Sequence, residues 1–240
     1  MTITPPRPLP PAGDALAGEA HEQIVIRQDT RTGMRLIVAV HSTVLGPALG
    51  GLRLKRYAGG LREALDDVMG LARTMTLKAS AAGLALGGGK AVMIDDGDDS
   101  LRFDRLEAAA AVIEGLGGAY ITAEDIGTTT ADIDHMARFT RFCTGRSVGN
   151  GGGGDPSPVT AETVLAAMRR GLAAQTDSDE LAGRRIGVIG LGKVGGALAA
   201  QLVAEGARVV GCDLDYERSE RSEPDRDVLA LHPRHARRRV

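Results

Sequence analysis

The 240-residue sequence is poor in several residue types, and each shortage excludes a class of protein. Two cysteines, Cys143 and Cys212, are too few for a disulfide framework, which favours a reducing compartment. No apolar run approaches the roughly 18 residues that a membrane span requires, so no membrane partner is predicted. Lysine and arginine total 29 against 31 acidic residues, and this balance excludes a strongly basic nucleic-acid-binding protein. With a proline-rich start that lacks a signal-peptide core, these features predict a cytoplasmic protein.

Lysine is scarce, and only Lys55, Lys78, Lys90 and Lys193 occur in the chain. A lysine ammonium can lower its pKa and lose a proton, whereas an arginine guanidinium cannot. A reaction that needs proton transfer therefore favours lysine, which makes Lys78 and Lys90 candidate functional residues. The alternative is that both are ordinary surface residues. The five histidines have no metal-ligand spacing, and no metal site is predicted.

The alternation of apolar patterns predicts an α/β chain with two domains. Residues 1–20 are predicted to be a flexible leader, and residues 21–148 are predicted to form a first α/β domain. Residues 149–216 are predicted to form an incomplete Rossmann-type domain, and residues 217–240 are an atypical arginine- and histidine-rich tail. Only two strands are expected in the second domain. In the first, a helix is predicted from Gly60 to about Ala82, with Lys78 on its buried edge and an inward stripe at helical spacing. That stripe comprises Leu61, Leu65, Val68, Ala72 and Met75.

Glycine-rich segments are predicted to form loops. Ser42–Gly51 is expected to be a loop between two strands, and Gly83–Gly89 a loop between a helix and a strand. Arg146–Gly154 is expected to be a hinge or linker between the domains. The run Gly87–Lys90 is not a phosphate-binding loop, because Leu84 stands where that loop needs glycine and Ala91 where it needs serine or threonine. A turn with a structural lysine is the simpler alternative there.

Another glycine-rich segment predicts a dinucleotide site. The residues Gly187–Gly195 read GVIGLGKVG, follow an apolar strand and open a helix, so the pyrophosphate of a dinucleotide can approach the helix N-terminus. Asp213, about 20 residues further on, can bond a ribose 2′-hydroxyl, which favours NAD over NADP. Asp215 is an alternative for that role, and a purely structural βαβ unit is the alternative for the segment. The predicted cofactor residues here are Gly190, Gly192, Lys193, Val194, Gly195 and Asp213.

Four segments of the sequence resemble the hallmark segments of the glutamate/leucine/phenylalanine/valine dehydrogenases, most closely the leucine/valine/phenylalanine branch. They are LGPALGG (Leu45–Gly51), MTLKASAAGLALGGGKAV (Met75–Val92), YITAEDIGT (Tyr120–Thr128) and GDPSPVTA (Gly154–Ala161). Their order and spacing match, and the resemblance runs from about Glu22 to Asp215. It implies an NAD-dependent enzyme that deaminates an amino acid to a 2-oxo acid and ammonia, assembled as a homo-oligomer.

The resemblance also implies roles for single residues. Lys90 would be the catalytic lysine, and burial near another cation should lower its pKa. Asp125 would shuttle protons to and from the substrate nitrogen, and Lys78 would bind the substrate α-carboxylate. Three further residues, Gly50, Gly51 and Met75, would line the substrate site. Thr160 would contact the cofactor.

Leu49 narrows the expected substrate. Glutamate dehydrogenases carry a lysine at the position before this Gly-Gly pair, where it pairs with the side-chain carboxylate of glutamate. Leucine offers no charge and would leave that carboxylate buried and unpaired, at a cost of roughly several kcal/mol. The resemblance therefore implies an apolar amino acid such as leucine, valine, isoleucine or phenylalanine.

The resemblance ends after Asp215, where members of the family continue. The chain is therefore expected to be truncated in the NAD domain and to lack its later strands and C-terminal helices. Three interpretations stay open from sequence: a working dehydrogenase, an inactive fragment of one, and a non-catalytic oligomerisation module.

Overall fold

The computed structural model describes residues 20–213 and 228–230 of the chain. These residues divide between Gly154 and Asp155 into two compact units, and the sequence predicts the change of domain slightly earlier, after residue 148. Most of the predicted leader, Asp215 and all of the predicted tail except 228–230 lie outside the described residues. Both units combine strands and helices, as predicted for an α/β chain.

The first unit is built on a five-stranded sheet in the order β1-β2-β4-β3-β5. Strands β1, β2 and β4 pair antiparallel, whereas β3 pairs parallel with β4 on one side and β5 on the other. The carboxyl ends of parallel strands lie at one edge of a sheet, so residues after β3, β4 and β5 come together there. The strands are β1 (Gln23–Asp29), β2 (Met34–Ser42), β3 (Ala48–Lys55), β4 (Gly87–Ile94) and β5 (Tyr120–Glu124).

Helices pack on both faces of this sheet. Helix α1 (Gly60–Ala81) lies across β2 and β4 and buries Ala64, Val68 and Ala72 against one face. Helices α2 (Arg102–Gly115) and α3 (Thr130–Met136) pack on the opposite face. Because side chains alternate along a strand, Lys90, Val92 and Ile94 of β4 point towards α1. Helix α3 ends at Met136.

Two predictions for α1 are wrong, the inward position of Leu61 and the buried-edge position of Lys78. Leu61 is 47% exposed because it lies in the first turn, before the buried face begins at Ala64. Lys78 is exposed rather than on a buried edge, since the neighbouring Ala79 takes the inward position in that turn. An ammonium in the last turn of a helix is favoured by the helix dipole.

The predicted loops Ser42–Gly51 and Gly83–Gly89 are wrong over their last residues, which belong to β3 and β4. Glycine normally weakens a strand, but here neighbouring atoms occupy the space of a side chain. A Cβ on Gly88 would overlap the backbone nitrogen of Thr76 in α1, and one on Gly89 would lie 2.7 Å from the Tyr120 ring. The glycines therefore allow α1 and Tyr120 to approach the strand closely.

The second unit contains a parallel sheet in the order β6-β7-β8. Its strands are β6 (Arg185–Ile189), β7 (Arg208–Cys212) and β8 (Val228–Ala230), and its helices are α4 (Ser157–Thr176) and α5 (Lys193–Ala204). Two strands were expected, and the third, β8, pairs with β7 from within the predicted tail. The core of this unit includes Val188, Ala199, Leu202 and Val209.

Within the described part of the chain, no helix combines the length and the apolar character needed to cross a membrane.

Candidate active site

Lys90 lies in the middle of β4, with its side chain only 6% exposed. It pairs across the sheet with Ala39 of β2 and points towards the α1 face. Its Nζ atom lies 3.0 Å from Oδ2 of Asp125. A buried ammonium is stable only when it is paired, and Asp125 supplies that partner. The two predicted catalytic residues are therefore in contact.

Asp125 directly follows β5, where a short loop holds it in place. Its backbone N–H donates to Oγ1 of Thr128 over 2.9 Å, and the Thr128 hydroxyl donates in turn to the carbonyl oxygen of Leu52 in β3. Thr128 is itself buried. The loop is thus tied to the neighbouring strand, which positions the Asp125 carboxylate towards Lys90.

Gly50 and Gly51 allow the two catalytic candidates to meet. A Cβ on Gly51 would lie 2.8 Å from the Asp125 Cβ and 2.6 Å from the Glu124 carbonyl oxygen, so any side chain there would displace Asp125. The carbonyl oxygens of Gly50 and Gly51 both accept from the buried Tyr120 hydroxyl, at 2.6 and 3.3 Å. These glycines are buried, and their immediate role is to let strand β3 lie close to its neighbours.

The electrostatics of the pair follow from burial and from a second cation. Burial lowers the pKa of Lys90, and the attraction of Asp125 opposes that shift without cancelling it. Burial raises the pKa of Asp125, but the Lys90 and Arg53 cations outweigh it and hold that pKa below its usual range. Asp125 is therefore a carboxylate near neutral pH, and Lys90 loses its proton more readily than an ordinary lysine.

Arg53 is the second cation, and the sequence analysis missed it. From β3 its Nε donates to Asp125 Oδ2 over 2.8 Å, and its Nη1 donates to Asp67 of α1 over 2.8 Å. The Tyr57 hydroxyl also donates to Asp67, over 2.6 Å. One arginine among 25 has no local signal, since its role depends on the order of the strands. A spacing of 14 residues between Arg53 and Asp67 does not identify the pair.

An apolar strip lies beside the Lys90–Asp125 pair on the same face of the sheet. Leu49 pairs with Gly88 of β4, two residues before Lys90, so its side chain shares the face of Lys90. Leu49 also pairs with Ile121 of β5, and Ala123 follows on the same face. All three are half-buried, because α1 covers β2 and β4 and barely reaches β3.

Two other predicted substrate residues lie on α1. Met75 is half-buried, and Lys78 is exposed in the last turn. The ammonium of Lys78 makes no ion pair with the residues that the structure describes. An exposed cation can meet an anionic ligand without first giving up another partner.

The predicted cofactor segment forms a tight turn between β6 and α5. Gly190 has φ +93°, a conformation that favours glycine, and open space surrounds the position of its missing side chain. Gly192 is the N-cap of α5 and provides no side-chain cap for the first helical N–H groups. A Cβ on Gly195 would overlap the Gly190 carbonyl oxygen. Exposed N–H groups at a helix N-terminus fit an anionic pyrophosphate.

The remaining predicted cofactor residues surround this turn or lie on α4. Asp213 follows β7 and accepts a 2.7 Å hydrogen bond from the backbone N–H of Leu191, so its carboxylate also holds the turn. Lys193 lies 4.0 Å from Asp155, with its side chain 49% exposed. Val194 is exposed beside it. Thr160 is exposed in the first turns of α4, where its hydroxyl donates to the Pro156 carbonyl oxygen.

Metal-ligating side chains do not cluster in this structure. Among residues 20–213 and 228–230, no three or more histidine, cysteine, aspartate or glutamate residues are grouped so that they could hold an ion.

Comparison with known proteins identifies the family. Residues 20–142, half of the chain, match the profile described as Glu/Leu/Phe/Val dehydrogenase, dimerisation domain. The chain belongs to the Glu/Leu/Phe/Val dehydrogenase family. A second match, over residues 185–236, is to a profile described as NADP oxidoreductase, coenzyme F420-dependent. Together the two matches confirm the predicted fold class, a dehydrogenase N-terminal domain followed by a Rossmann-type unit.

Relatives within the Glu/Leu/Phe/Val dehydrogenase family are similar over most of the chain. A valine dehydrogenase of Streptomyces virginiae is 46% identical over 84% of this chain and 56% of its own length. A leucine dehydrogenase of Thermoactinomyces intermedius is 41% identical over 89% of this chain and 58% of its own. The predicted leucine/valine/phenylalanine branch is confirmed through its leucine and valine dehydrogenases.

Solved structures show the same architecture. An L-tryptophan dehydrogenase from Nostoc punctiforme is 28% identical, with a TM-score of 0.61 over 90% of this chain and 60% of that one. A hetero-hexameric glutamate dehydrogenase from Thermus thermophilus, at 23% identity and a TM-score of 0.65, covers 84% of this chain and 55% of its own, and supports the fold alone. The chain thus spans somewhat over half the length of the relatives that it matches.

Proposed function

We propose that this chain catalyses the NAD-dependent oxidative deamination of an apolar L-amino acid to a 2-oxo acid and ammonia. The observation that carries the proposal is the buried contact between Lys90 and Asp125, beside the apolar strip of Leu49, Ile121 and Ala123. A charged pair with perturbed pKa values next to an apolar surface suits a substrate with a polar reacting end and an apolar side chain.

Asp125 and Lys90 divide the proton transfers of this reaction. The Asp125 carboxylate takes a proton from the substrate ammonium, which frees the nitrogen lone pair. After hydride loss from Cα, neutral Lys90 takes a proton from water as the water oxygen bonds to the iminium carbon. Asp125 then returns its proton to the nitrogen, which leaves as ammonia. The new hydroxyl and the Lys90 ammonium each lose a proton to solvent, which gives the 2-oxo acid and restores neutral Lys90.

The second unit suits the cofactor. When bound, NAD accepts the hydride that leaves the substrate Cα. The α5 N-terminus would hold its pyrophosphate through backbone N–H groups, and Asp213 would bond its ribose. Lys193, Val194 and Thr160 would complete the contacts from this unit. The uncapped turn at Gly190–Gly192 is the structural observation that supports this assignment.

Leu49 supports an apolar substrate. Its side chain lies on the same face of the sheet as Lys90, where an uncharged residue gives the side-chain carboxylate of a substrate such as glutamate no partner. Lys78, exposed in α1, is proposed to bind the α-carboxylate that all amino acids share. Met75, Gly50 and Gly51 are proposed to complete this part of the site.

Assembly into a homo-oligomer in the cytoplasm completes the proposal. It rests on the match to a profile described as a dimerisation domain. The alternative function, an inactive chain that serves as an oligomerisation module, is favoured by the same match. Size-exclusion chromatography with light scattering tests assembly separately from turnover.

The decisive experiment offers the purified, folded chain NAD with valine, leucine, isoleucine, phenylalanine or glutamate while NADH absorbance is followed. We expect NADH with at least one apolar substrate and none with glutamate. Leu49→Lys should weaken turnover of the apolar substrate and improve that of glutamate, whereas Leu49→Met should do neither. A folded, oligomeric chain that makes no NADH would support the alternative function and contradict the proposed one.

A further inference from the structure

We propose that Arg53 is a positioning residue, which holds the Asp125 carboxylate and keeps Lys90 ready to lose its proton, and that Asp67 and Tyr57 anchor Arg53 for this task. The inference rests on the proposed function, since it assigns a role within the same site. In this assignment none of the three residues contacts the reacting atoms of the substrate. Arg53 acts by holding the Asp125 carboxylate and, through its charge, on Lys90.

In this network Arg53 lies between two carboxylates, and Lys90 contacts one of them. Lys90 and Arg53 share one oxygen of Asp125. Asp125 Oδ2 receives both Lys90 Nζ at 3.0 Å and Arg53 Nε at 2.8 Å. The other arm of the Arg53 guanidinium donates to both oxygens of Asp67, at 2.8 and 3.2 Å. The planar guanidinium thus spans two carboxylates, which a lysine ammonium could not do in one fixed geometry.

The anchor of Arg53 consists of Asp67 on α1 and Tyr57 just before that helix, and it is partly buried. The Arg53 side chain is 13% exposed, and Tyr57 is buried. The Tyr57 hydroxyl donates to the same Asp67 oxygen that Arg53 contacts most closely. Burial and the Asp67 carboxylate raise the pKa of Tyr57, so this hydroxyl keeps its proton and remains a donor. Asp67 is therefore fixed from two sides, which in turn fixes Arg53.

Electrostatics give the network a function beyond holding elements together. Three charged side chains around Lys90 influence its charge, Asp125 after β5, Arg53 from β3 and Asp67 from α1. The residue that pairs with Lys90 on β2 is Ala39, which has no charge. His41, further along β2, bonds Thr76 of α1. Arg53 competes with Lys90 for Asp125 and repels the Lys90 ammonium. Without Arg53, Asp125 would pair with Lys90 alone and stabilise its charged form.

A purely structural role is the competing explanation, since the network also ties α1 to the sheet. The two explanations differ in the sign of their effects. If Arg53 acts on Lys90, removing its charge must raise the pKa of Lys90, whereas removing the Asp67 charge must lower it. A structural tie predicts lower stability for both changes and no opposed shifts.

The scarcity of lysine allows a direct test. A chain labelled with ¹³Cε-lysine carries four labelled residues, and the Lys90 signal is the one missing from a Lys90→Arg chain. We expect its titration midpoint to move up in Arg53→Gln and down in Asp67→Asn. Arg53→Lys, which keeps the charge, should stay nearer to the unaltered chain and covers the case in which Arg53→Gln does not fold.

Arg105 provides a matched control. Its side chain is 11% exposed and it forms a two-armed pair with Asp96 at 2.7 and 3.0 Å, without contacting Lys90, Asp125 or Asp67. Arg105→Gln should therefore cost stability in urea unfolding but leave the Lys90 midpoint in place. Equal midpoints in Arg53→Gln, Arg105→Gln and the unaltered chain would overturn the inference, as would a downward shift in Arg53→Gln.

Turnover supplies the second readout. With the substrate identified above, Arg53→Gln should lower kcat roughly ten- to a hundredfold with little change in KM, because the carboxylate is misplaced rather than lost. The rising limb of its pH–rate profile should move to higher pH, and Arg53→Lys should recover part of kcat. A chain without dehydrogenase activity would contradict the proposed function alone, since the lysine titration still decides the role of Arg53.

Discussion

Two glycine-rich segments of this chain, around Gly88 and around Gly190, look alike in sequence but work in opposite ways. Around Gly88 in β4, neighbouring backbone and side-chain atoms fill the space where a side chain would stand, and the glycines bring charged groups of three strands together. Around Gly190, the space is open and the backbone takes a conformation that other residues avoid. The first segment serves chemistry through side chains near it, and the second serves binding through its own N–H groups.

The first unit is proposed to act through charged side chains, so the largest expected effect on turnover comes from removing one of them. Asp125→Asn keeps the size of the side chain but removes the base and the counter-ion of Lys90. We expect kcat to fall about 10²- to 10⁴-fold, the usual range for loss of a general base. Steady-state kinetics measure this, with circular dichroism as the check on folding. Turnover within threefold of the unaltered chain would remove Asp125 from the mechanism.

The packing role of the first glycine segment gives the next effect. Gly88→Ala places a methyl group against the backbone of Thr76, so the free energy of unfolding should fall by about 1–3 kcal/mol or more in urea titrations. Gly115→Ala is the matched control, since nothing lies within 4 Å of a Cβ at that helical position. The control should be neutral or more stable. Equal stability of the two variants would contradict the packing argument.

The open turn of the second unit gives a smaller effect on stability. Gly190→Ala meets no neighbouring atom, but it forces a non-glycine residue to φ +93°, at a cost of about 1–2 kcal/mol. Under the proposed function, the KM for NAD should rise while the first unit stays folded. Urea unfolding followed together with NAD titration separates the two effects. A variant with unchanged stability and unchanged KM would break the comparison between the segments.

The smallest effect is expected at a side chain in the same turn. Lys193 is half exposed and lies 4.0 Å from Asp155, and exposed ion pairs contribute roughly 0–1 kcal/mol. If the backbone does most of the binding, Lys193→Gln should change the KM for NAD by less than about fivefold. A larger rise would show that this unit also depends on a charged side chain, and the contrast with the first unit would weaken.

Local sequence patterns predicted the elements better than their contacts. The helix over Gly60–Ala81 and the βαβ unit around Gly190 follow from spacing and turn residues, which act over short stretches of chain. The start of β4 did not, because three glycines normally indicate a loop and only the approach of α1 and Tyr120 explains them. The prediction that Leu61 is buried failed for a similar reason, because where the sheet ends beneath the helix depends on the tertiary structure.

The candidate site shows the same limit. Lys90 and Asp125 were predicted by resemblance to a family, and the structure brings their side chains into contact. Arg53 and Asp67 belong to the same network but lie in segments whose charges look ordinary. Only the strand order β4-β3-β5, with α1 over β4, places Arg53 between the Asp125 and Asp67 carboxylates.

The parallel pairing of β3 with both of its neighbours has a consequence for how the chain folds. Gly51, Lys90 and Asp125 are far apart in sequence, and they meet only after two long loops have closed and three strands have paired. Contacts of such large sequence separation slow folding, because the entropy of closure is lost before the contacts form. The Lys90–Asp125 contact should therefore form only after β3 has paired with both of its neighbours.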